Sequence, residues 1–337
     1  MKTICAMLVL VLELAVFAAG HIKWDVDYDM DVDLQDLGLL NTKLGLTSDS
    51  AGWNPVFDMD TNNIIDSLDG ADVTRHLNFT DSMALVAAGV FVMGDTTYPN
   101  MPDTIHVYVD SFWMDKYEIT NSKYIQFLND HRNYYHRFYA PNRNDSLKID
   151  SGAIFTVWTG FDSHPVQGIA WETASAYCTS FGKRLCTSAE WEKAARGNER
   201  IKHTWGNQGC DSTKANYQYY LDNECNLSST EIDSLAQIDG NGALRGTRSI
   251  GSYQNASCWG IYDLSGNVSD WVSDWLKADR QYWTLPDSRM NPQGPSSGTM
   301  KVARGSAYRG GGDDIPVEFH IGSPNAGSGP IGFRCCY

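Results

Sequence analysis

Side-chain oxygens recur twice at one spacing near the start of the chain. Asp25, Asp27, Asp29, Asp31, Asp33 and Asp36 occupy positions 1, 3, 5, 7, 9 and 12 of a twelve-residue stretch. About 33 residues later, Asp58, Asp60, Asn62, Asp66 and Asp69 fall at positions 1, 3, 5, 9 and 12 of a second, with Ile64 at position 7. A calcium ion takes several hard oxygen ligands at adjustable distances, and a loop of this length can wrap them around one ion. Val32 and Ile65 share the apolar position 8, which a solvated acidic tail does not explain. Each loop runs into a short amphipathic stretch, Leu37, Leu39, Leu40 and Leu44 after the first and Val73 and Leu77 after the second, that reads as helix.

Both loops depart from the EF-hand pattern. Position 6 holds Met30 or Asn63 instead of glycine, and position 12 holds aspartate instead of the longer glutamate. A positive φ at position 6 strains Met30 more than Asn63, so the second loop is expected to bind calcium more tightly.

The loops dominate the charge. The chain of 337 residues carries 26 Lys plus Arg against 41 Asp plus Glu, a formal −15, and residues 21–83 hold 13 Asp and no Glu. A net negative chain without a basic run makes nucleic acid a poor partner. With 42% hydrophobic and 12% aromatic residues, the chain can fill a large core. Residues 1–20 combine Lys2, an apolar run from Ile4 to Val16, and Ala18-Ala19-Gly20. That is the layout of a signal peptide cleaved before His21, and the run is too short to span a membrane. A secreted or cell-surface protein is expected, with no membrane span in the mature chain. The texture then divides into an acidic module at 21–79, a linker at 80–84 and a large domain at 85–337. Seven cysteines follow Cys5, an odd number, and export favours disulfides among them. Cys210 and Cys225 share one polar stretch and form the easiest local pair.

In the large domain, Val90–Gly94 and Ile105–Val109 read as strands. Thr120 can cap a helix carrying Tyr124, Phe127 and Leu128. A second helix from Trp171 to Phe181 places Trp171, Ala174, Cys178 and Phe181 on one face, and Thr187 or Ser188 opens a third through Ala195. A few helices among short strands and Gly-rich loops indicate α+β. Trp271, Trp275 and Trp283 read as core or as a sugar platform. Asp313 and Asp314, after three glycines, read as a solvated turn or as cleft lining. Ser306 follows a glycine but lacks the nucleophile-elbow pattern.

Two resemblances rest on these residues. Tandem loops that end in Asp, lack an entering helix and lie about 33 residues apart resemble the dockerin type I domain, over residues 22–79. That resemblance implies a small all-α duplicated EF-hand module that needs calcium to fold and docks onto a cohesin-like partner through Leu34, Gln35, Ser67 and Leu68. The large domain carries Phe91-Val-Met-Gly94, Tyr117-Glu-Ile-Thr-Asn121, His164-Pro-Val, Gly182-Lys-Arg-Leu185, Thr187-Ser-Ala-Glu-Trp-Glu192, Trp205-Gly-Asn207, Ala215-Asn-Tyr217, Tyr262-Asp-Leu-Ser-Gly-Asn267, Trp271-Val-Ser-Asp-Trp275 and Gly332-Phe-Arg-Cys335. In type and order these resemble the formylglycine-generating enzyme family, also called sulfatase-modifying factor domains. The resemblance implies a C-type-lectin-like fold with little regular secondary structure.

The family's oxidases bind copper through two cysteines shortly before Gly-Phe-Arg and oxidise a substrate cysteine. The equivalent positions here hold Arg309 and Asp314. A guanidinium and a carboxylate cannot form the soft two-thiolate site that Cu(I) prefers, so copper is not expected. The resemblance implies a disulfide between Cys178 and Cys335, leaving Cys336 facing out toward Cys186 or Cys258. It also implies a calcium site spread over Asp263, Gly266, Val268 and Asp270. Another would start at Asn216 and the Tyr217 carbonyl, with Asp239 or Asn241 as the nearest acidic candidates. The expected function is therefore noncatalytic recognition of a glycan or protein at a cleft with Arg309, Asp313 and Asp314, stabilised by calcium. The alternative is an oxidoreductase of the family, or a hydrolase, using another metal at the same cleft.

Overall fold

Strict alternation sets the first hairpin. In strands β2 (Gly89–Met93) and β3 (Ile105–Val109), Phe91, Met93, Ile105, Val107 and Val109 are buried while Val90 and His106 face out. The two pair antiparallel from Gly89↔Val109 to Met93↔Ile105. The computed structural model describes residues 39–51, 57, 62–67, 82–94, 104–130, 147–149, 155–199, 201–207, 213–216, 246–276, 289–308, 320–323 and 329–337. The chain divides into two units, Met1–Ala84 and Leu85–Tyr337.

In the first unit Leu40, Phe57 and Ile65 are buried, and Thr47 bridges Ile64 antiparallel. Asn63, at loop position 6, adopts φ +66°, and the Asn62 side-chain oxygen accepts the Ile64 N–H at 2.8 Å. The first loop, Asp25 to Asp36, and Asp58, Asp60 and Asp69 of the second lie outside the described residues, as does the signal segment 1–20.

The second unit mixes short strands with three described helices. One sheet runs β1 (Met83–Val86), β4 (Phe112–Asp115), β12 (Cys335–Cys336), β7 (Arg184–Leu185). A second runs β10 (His320–Ser323), β9 (Lys301–Arg304), β8 (Ser269–Trp275), β11 (Ile331–Gly332). Strands β5 (Leu147–Ile149) and β6 (Phe155–Val157) form a further hairpin. Helix α1 (Asn121–Asp130) buries Tyr124, Phe127 and Leu128, and α2 (Trp171–Ser180) buries Thr173, Ala174, Tyr177 and Cys178. Tyr177 was not among the residues the sequence placed inside, yet its ring lies 5.2 Å from those of both Phe127 and Phe333. Trp171 and Phe181 are only partly buried. Among the described residues, no helix is long and apolar enough to cross a membrane.

Helix α3 (Ser188–Arg196) shows why its sequence starts a helix there. The Thr187 hydroxyl accepts the Glu190 N–H, the Glu190 carboxylate accepts the Thr187 N–H, and Gly197 closes the far end at φ +64°. Asp274 on β8 accepts the Ser188 N–H at 2.7 Å, so a buried carboxylate sits at the positive end of α3.

Alternation on the terminal strand puts Cys335 and Cys336 on opposite faces, as expected. The other face turns Cys336 toward one of its two expected partners, Cys186. Strand β12 lies between β4 and β7, and Cys336 is fully buried in a disulfide with Cys186. Cys178 and Cys335 are joined, and Cys258 is the free thiol among the described residues; Cys210 and Cys225 lie outside them.

The two disulfides span 157 and 150 residues and run side by side. Once one is closed, the other adds only a ring of about ten residues, worth about 3 kcal/mol in the chain-entropy model. Removal of one pair, as C186S/C336S, is therefore expected to cost about that much in urea unfolding. Removal of both should cost more than twice as much, because the long closure, worth about 5 kcal/mol, is lost only then. Additive, equal losses for the two pairs would contradict this.

Burial pushes the Asp274 carboxyl up to about 6, against hydrogen bonds from the Ser188 N–H and Ser273 hydroxyl that favour its charged form. A carboxyl raised on folding binds its proton more tightly in the native state. Its favourable contribution is complete below pH about 4 and is lost as pH rises through about 6. D274N keeps an acceptor for Ser188 and removes the buried charge. It is expected to raise thermal stability at pH 7 and to reduce the gain that the unsubstituted protein shows between pH 7 and pH 5. Lower stability at pH 7 would contradict this.

Candidate functional site

The segment leading to the family's cysteine positions leaves β9 at Arg304 and turns at Gly305, φ +71°, where a Cβ would lie 2.9 Å from the Leu264 carbonyl oxygen. Ser306, Ala307 and Tyr308 are buried, and the Tyr308 N–H donates to the Asn267 carbonyl at 2.8 Å. Arg309, Asp313 and Asp314, the proposed ligand cleft, lie outside the described residues.

Beneath this segment the motif residues interlock. Arg334 Nε donates to Asp270 Oδ2 at 2.8 Å, and Trp191 Nε1 donates to the same oxygen at 2.9 Å. Arg334 Nη1 reaches the Asp115 and Lys116 carbonyls. Glu118 accepts Asn267 Nδ2 at 2.8 Å and the Val268 N–H at 3.2 Å. Asn267, at φ +63°, accepts Asn216 Nδ2 and the Arg248 N–H on its side-chain oxygen. A second cluster lies on the other side of Trp191. Glu192 accepts Arg304 at 2.6 Å, Arg196 at 2.9 Å and the Gly94 N–H at 2.7 Å, with the Arg304 guanidinium over the Trp191 ring.

Asp270 binds the Arg334 guanidinium directly, and Glu118 and Asp263 lie within reach of its charge. Burial, then the neighbouring Asp263, holds the Glu118 carboxyl well above the usual range. Asp263 is raised chiefly by burial, although the Gly251 N–H donates to it at 2.6 Å.

The stretch expected to hold calcium is therefore brought together, but with partners the spacing does not reveal. Asp270 binds Arg334 through one oxygen. Its other oxygen, Oδ1, and the Ser265 hydroxyl are buried without a hydrogen-bond partner. Asn216 packs against Gly266, where a Cβ would lie 2.7 Å from the Asn216 carbonyl oxygen. Tyr217, Asp239 and Asn241 lie outside the described residues. No group of three His, Cys, Asp or Glu side chains is arranged for a metal among the described residues. Of the expected ligands, Asp270 Oδ1 is the side-chain oxygen left for a cation here.

Glu118, Glu192, Arg304 and Arg334 were legible only as members of motifs. A charged residue set between apolar neighbours, as in Tyr-Glu-Ile and Gly-Phe-Arg, was the available signal. Trp271 is fully buried, and Trp275 stacks under Lys301, whose ammonium also lies 3.8 Å from the Trp171 ring centre; Trp283 lies outside the described residues.

Comparison with known proteins places these observations. The bovine formylglycine-generating enzyme is 29% identical over 263 residues, covering 67% of this chain and 65% of the relative. A serine/threonine-protein kinase pkn1 of Chlamydia caviae is 28% identical over 263 residues, and the match covers 76% of this chain but only 38% of that relative. The solved structure of PvdO from Pseudomonas aeruginosa superimposes with a TM-score of 0.54 at 17% identity, covering 75% of this chain and 93% of that one. Treponema denticola variable protein 1 gives 0.52 at 19%, over 75% and 94%. Residues 71–337 match the sulfatase-modifying factor enzyme 1-like domain, and the chain belongs to that family.

Proposed function

We propose that this protein is an exported, noncatalytic recognition member of the family, stabilised by calcium. Its ligand, a glycan or a protein, is read by the face bearing Arg309, Asp313 and Asp314. The observation that carries this reading is chemical: where the oxidases hold two thiols, the chain holds Arg309 and Asp314. Nor do the described residues offer a substitute pair, since Cys178, Cys186, Cys335 and Cys336 are consumed in disulfides and Cys258 stands alone. Copper therefore does not fit these positions.

Calcium is supported by the excess of buried carboxylate around Asp270 and by its unpartnered Oδ1. In the acidic module, the left-handed Asn63 and the turn of Asn62 onto Ile64 are compatible with a calcium loop. The dockerin-like reading of that module, with a cohesin-like partner, and the signal peptide at 1–20 belong to the same proposal.

The test combines metal analysis of the full secreted chain with incubation against a cysteine-containing sulfatase peptide in air. Bound calcium, a melting temperature lowered by chelator, and an unmodified peptide are the expected results. Formylglycine in the peptide, or copper or iron bound stoichiometrically, would overturn the noncatalytic reading. A chelator-insensitive melt would overturn the calcium one.

A further inference from the structure

A polar recess of ≈ 230 Å³ opens where β3 ends, between Asp110 and Ser111, the start of α3 with Arg184, and the segment 291–293. Its walls are fixed before any ligand arrives. Asn291 donates its N–H to the Tyr108 carbonyl, accepts the Asp110 N–H on Oδ1 at 2.8 Å, and donates Nδ2 to Asp110 Oδ2 at 2.6 Å. Arg184 is locked on Glu190 by two hydrogen bonds of 2.6 and 2.7 Å, and Glu190 is held in turn by the Thr187 N–H. Gln293 Nε2 donates to the Asn291 carbonyl.

These bonds leave a definite set of groups available to a ligand. Asp110 keeps one carboxylate oxygen, Gln293 keeps its carboxamide oxygen and one N–H, Ser111 keeps its hydroxyl, and Arg184 keeps Nε–H. The recess therefore offers both acceptors and donors. A hydroxyl both donates and accepts, so neighbouring hydroxyls on one ring satisfy a carboxylate and a guanidinium or amide together. The charge argues against the other classes. Glu190 already neutralises Arg184, so an anion finds no uncompensated cation in the recess walls. An ammonium ligand would meet an Asp110 whose charge is offset by Lys193, whose ammonium is held by the Gly89 and Val109 carbonyls. The volume falls below the range of drug-sized pockets and suits one ring.

We infer that this recess binds a neutral polyhydroxylated ring, a single saccharide residue, through Asp110, Ser111, Arg184 and Gln293. The inference does not depend on the reading of Arg309 and Asp314. Saturation-transfer NMR and calorimetry on the full chain would use the methyl glycosides of glucose, galactose, mannose and N-acetylglucosamine, with inorganic phosphate and lysine as charged probes. At least one glycoside is expected to bind with a Kd of about 1 mM, a value usual for a few hydrogen bonds to one ring. S111A and Q293A, on side chains that support no other element, should each weaken it about fivefold at unchanged melting temperature. D110A should weaken it further. No glycoside binding below about 50 mM, binding untouched by S111A and Q293A, or preference for phosphate or lysine would each overturn the assignment.

Discussion

The ion pair between Asp270 and Arg334 is the contact on which the large domain turns. Both side chains are 1% exposed and 2.8 Å apart, and they join β8 to the chain crossing between β11 and β12. Taking two charges out of water is costly, and their attraction offsets this only when the remaining hydrogen-bonding capacity is also used. Trp191 Nε1 and the Asp115 and Lys116 carbonyls supply much of that capacity. Loss of either partner would leave a buried charge unmatched, at a cost of about 3–5 kcal/mol. The same crossing carries Phe333 into the aromatic core and Cys335 to Cys178, while Asp115 accepts the Cys335 N–H and the Lys183 ammonium. One charged pair thus fixes where the core aromatic and both disulfides begin.

A fold with so few ladders needs other ways to satisfy its buried backbone, and charged side chains provide them. Lys193 serves the Gly89 and Val109 carbonyls, Arg196 serves Val92, Gly94 and Ile201, and Asn129 exchanges two hydrogen bonds with Phe155. Helix α3 is buried on every side because its polar residues are spent in this way. Trp191 joins the two ionic clusters, offering its N–H to Asp270 and its ring face to Arg304.

This division explains what could be read in the sequence. Alternation gave β2 and β3, and the Thr187 to Glu190 spacing gave the start of α3, because both are local patterns with local causes. Burial on α2 was read from one face only. Tyr177 escaped because the buried stripe of Thr173, Ala174, Tyr177 and Cys178 is rotated from the face read in the sequence, and that rotation leaves Trp171 only partly buried, with its N–H on the Val272 carbonyl. The site fared differently. The family resemblance implied a cation site over Asp263 to Asp270, and a ligand set confined to that stretch carries no information about a guanidinium 64 residues away. For Cys336, alternation gave the side it faces and left Cys186 and Cys258 both open as partners, and the strand order, with β12 beside β7, selects Cys186.

Chemistry and frame are separable in this architecture. Gly94, Glu118, Trp191, Glu192, Asp270 and Arg334 are tied to one another and to the backbone, and none of these ties requires a thiol at position 309 or 314. The segment reaching those positions is anchored just before them, by Gly305 against Leu264 and by the Tyr308 N–H on Asn267. Gly332 is similarly constrained, since any Cβ there would collide with the Val166 carbonyl. A change of side chain at positions 309 and 314 would therefore leave these described contacts in place. Resemblance across residues 71–337 consequently follows the frame, and the activity must be argued from the few positions the frame leaves free.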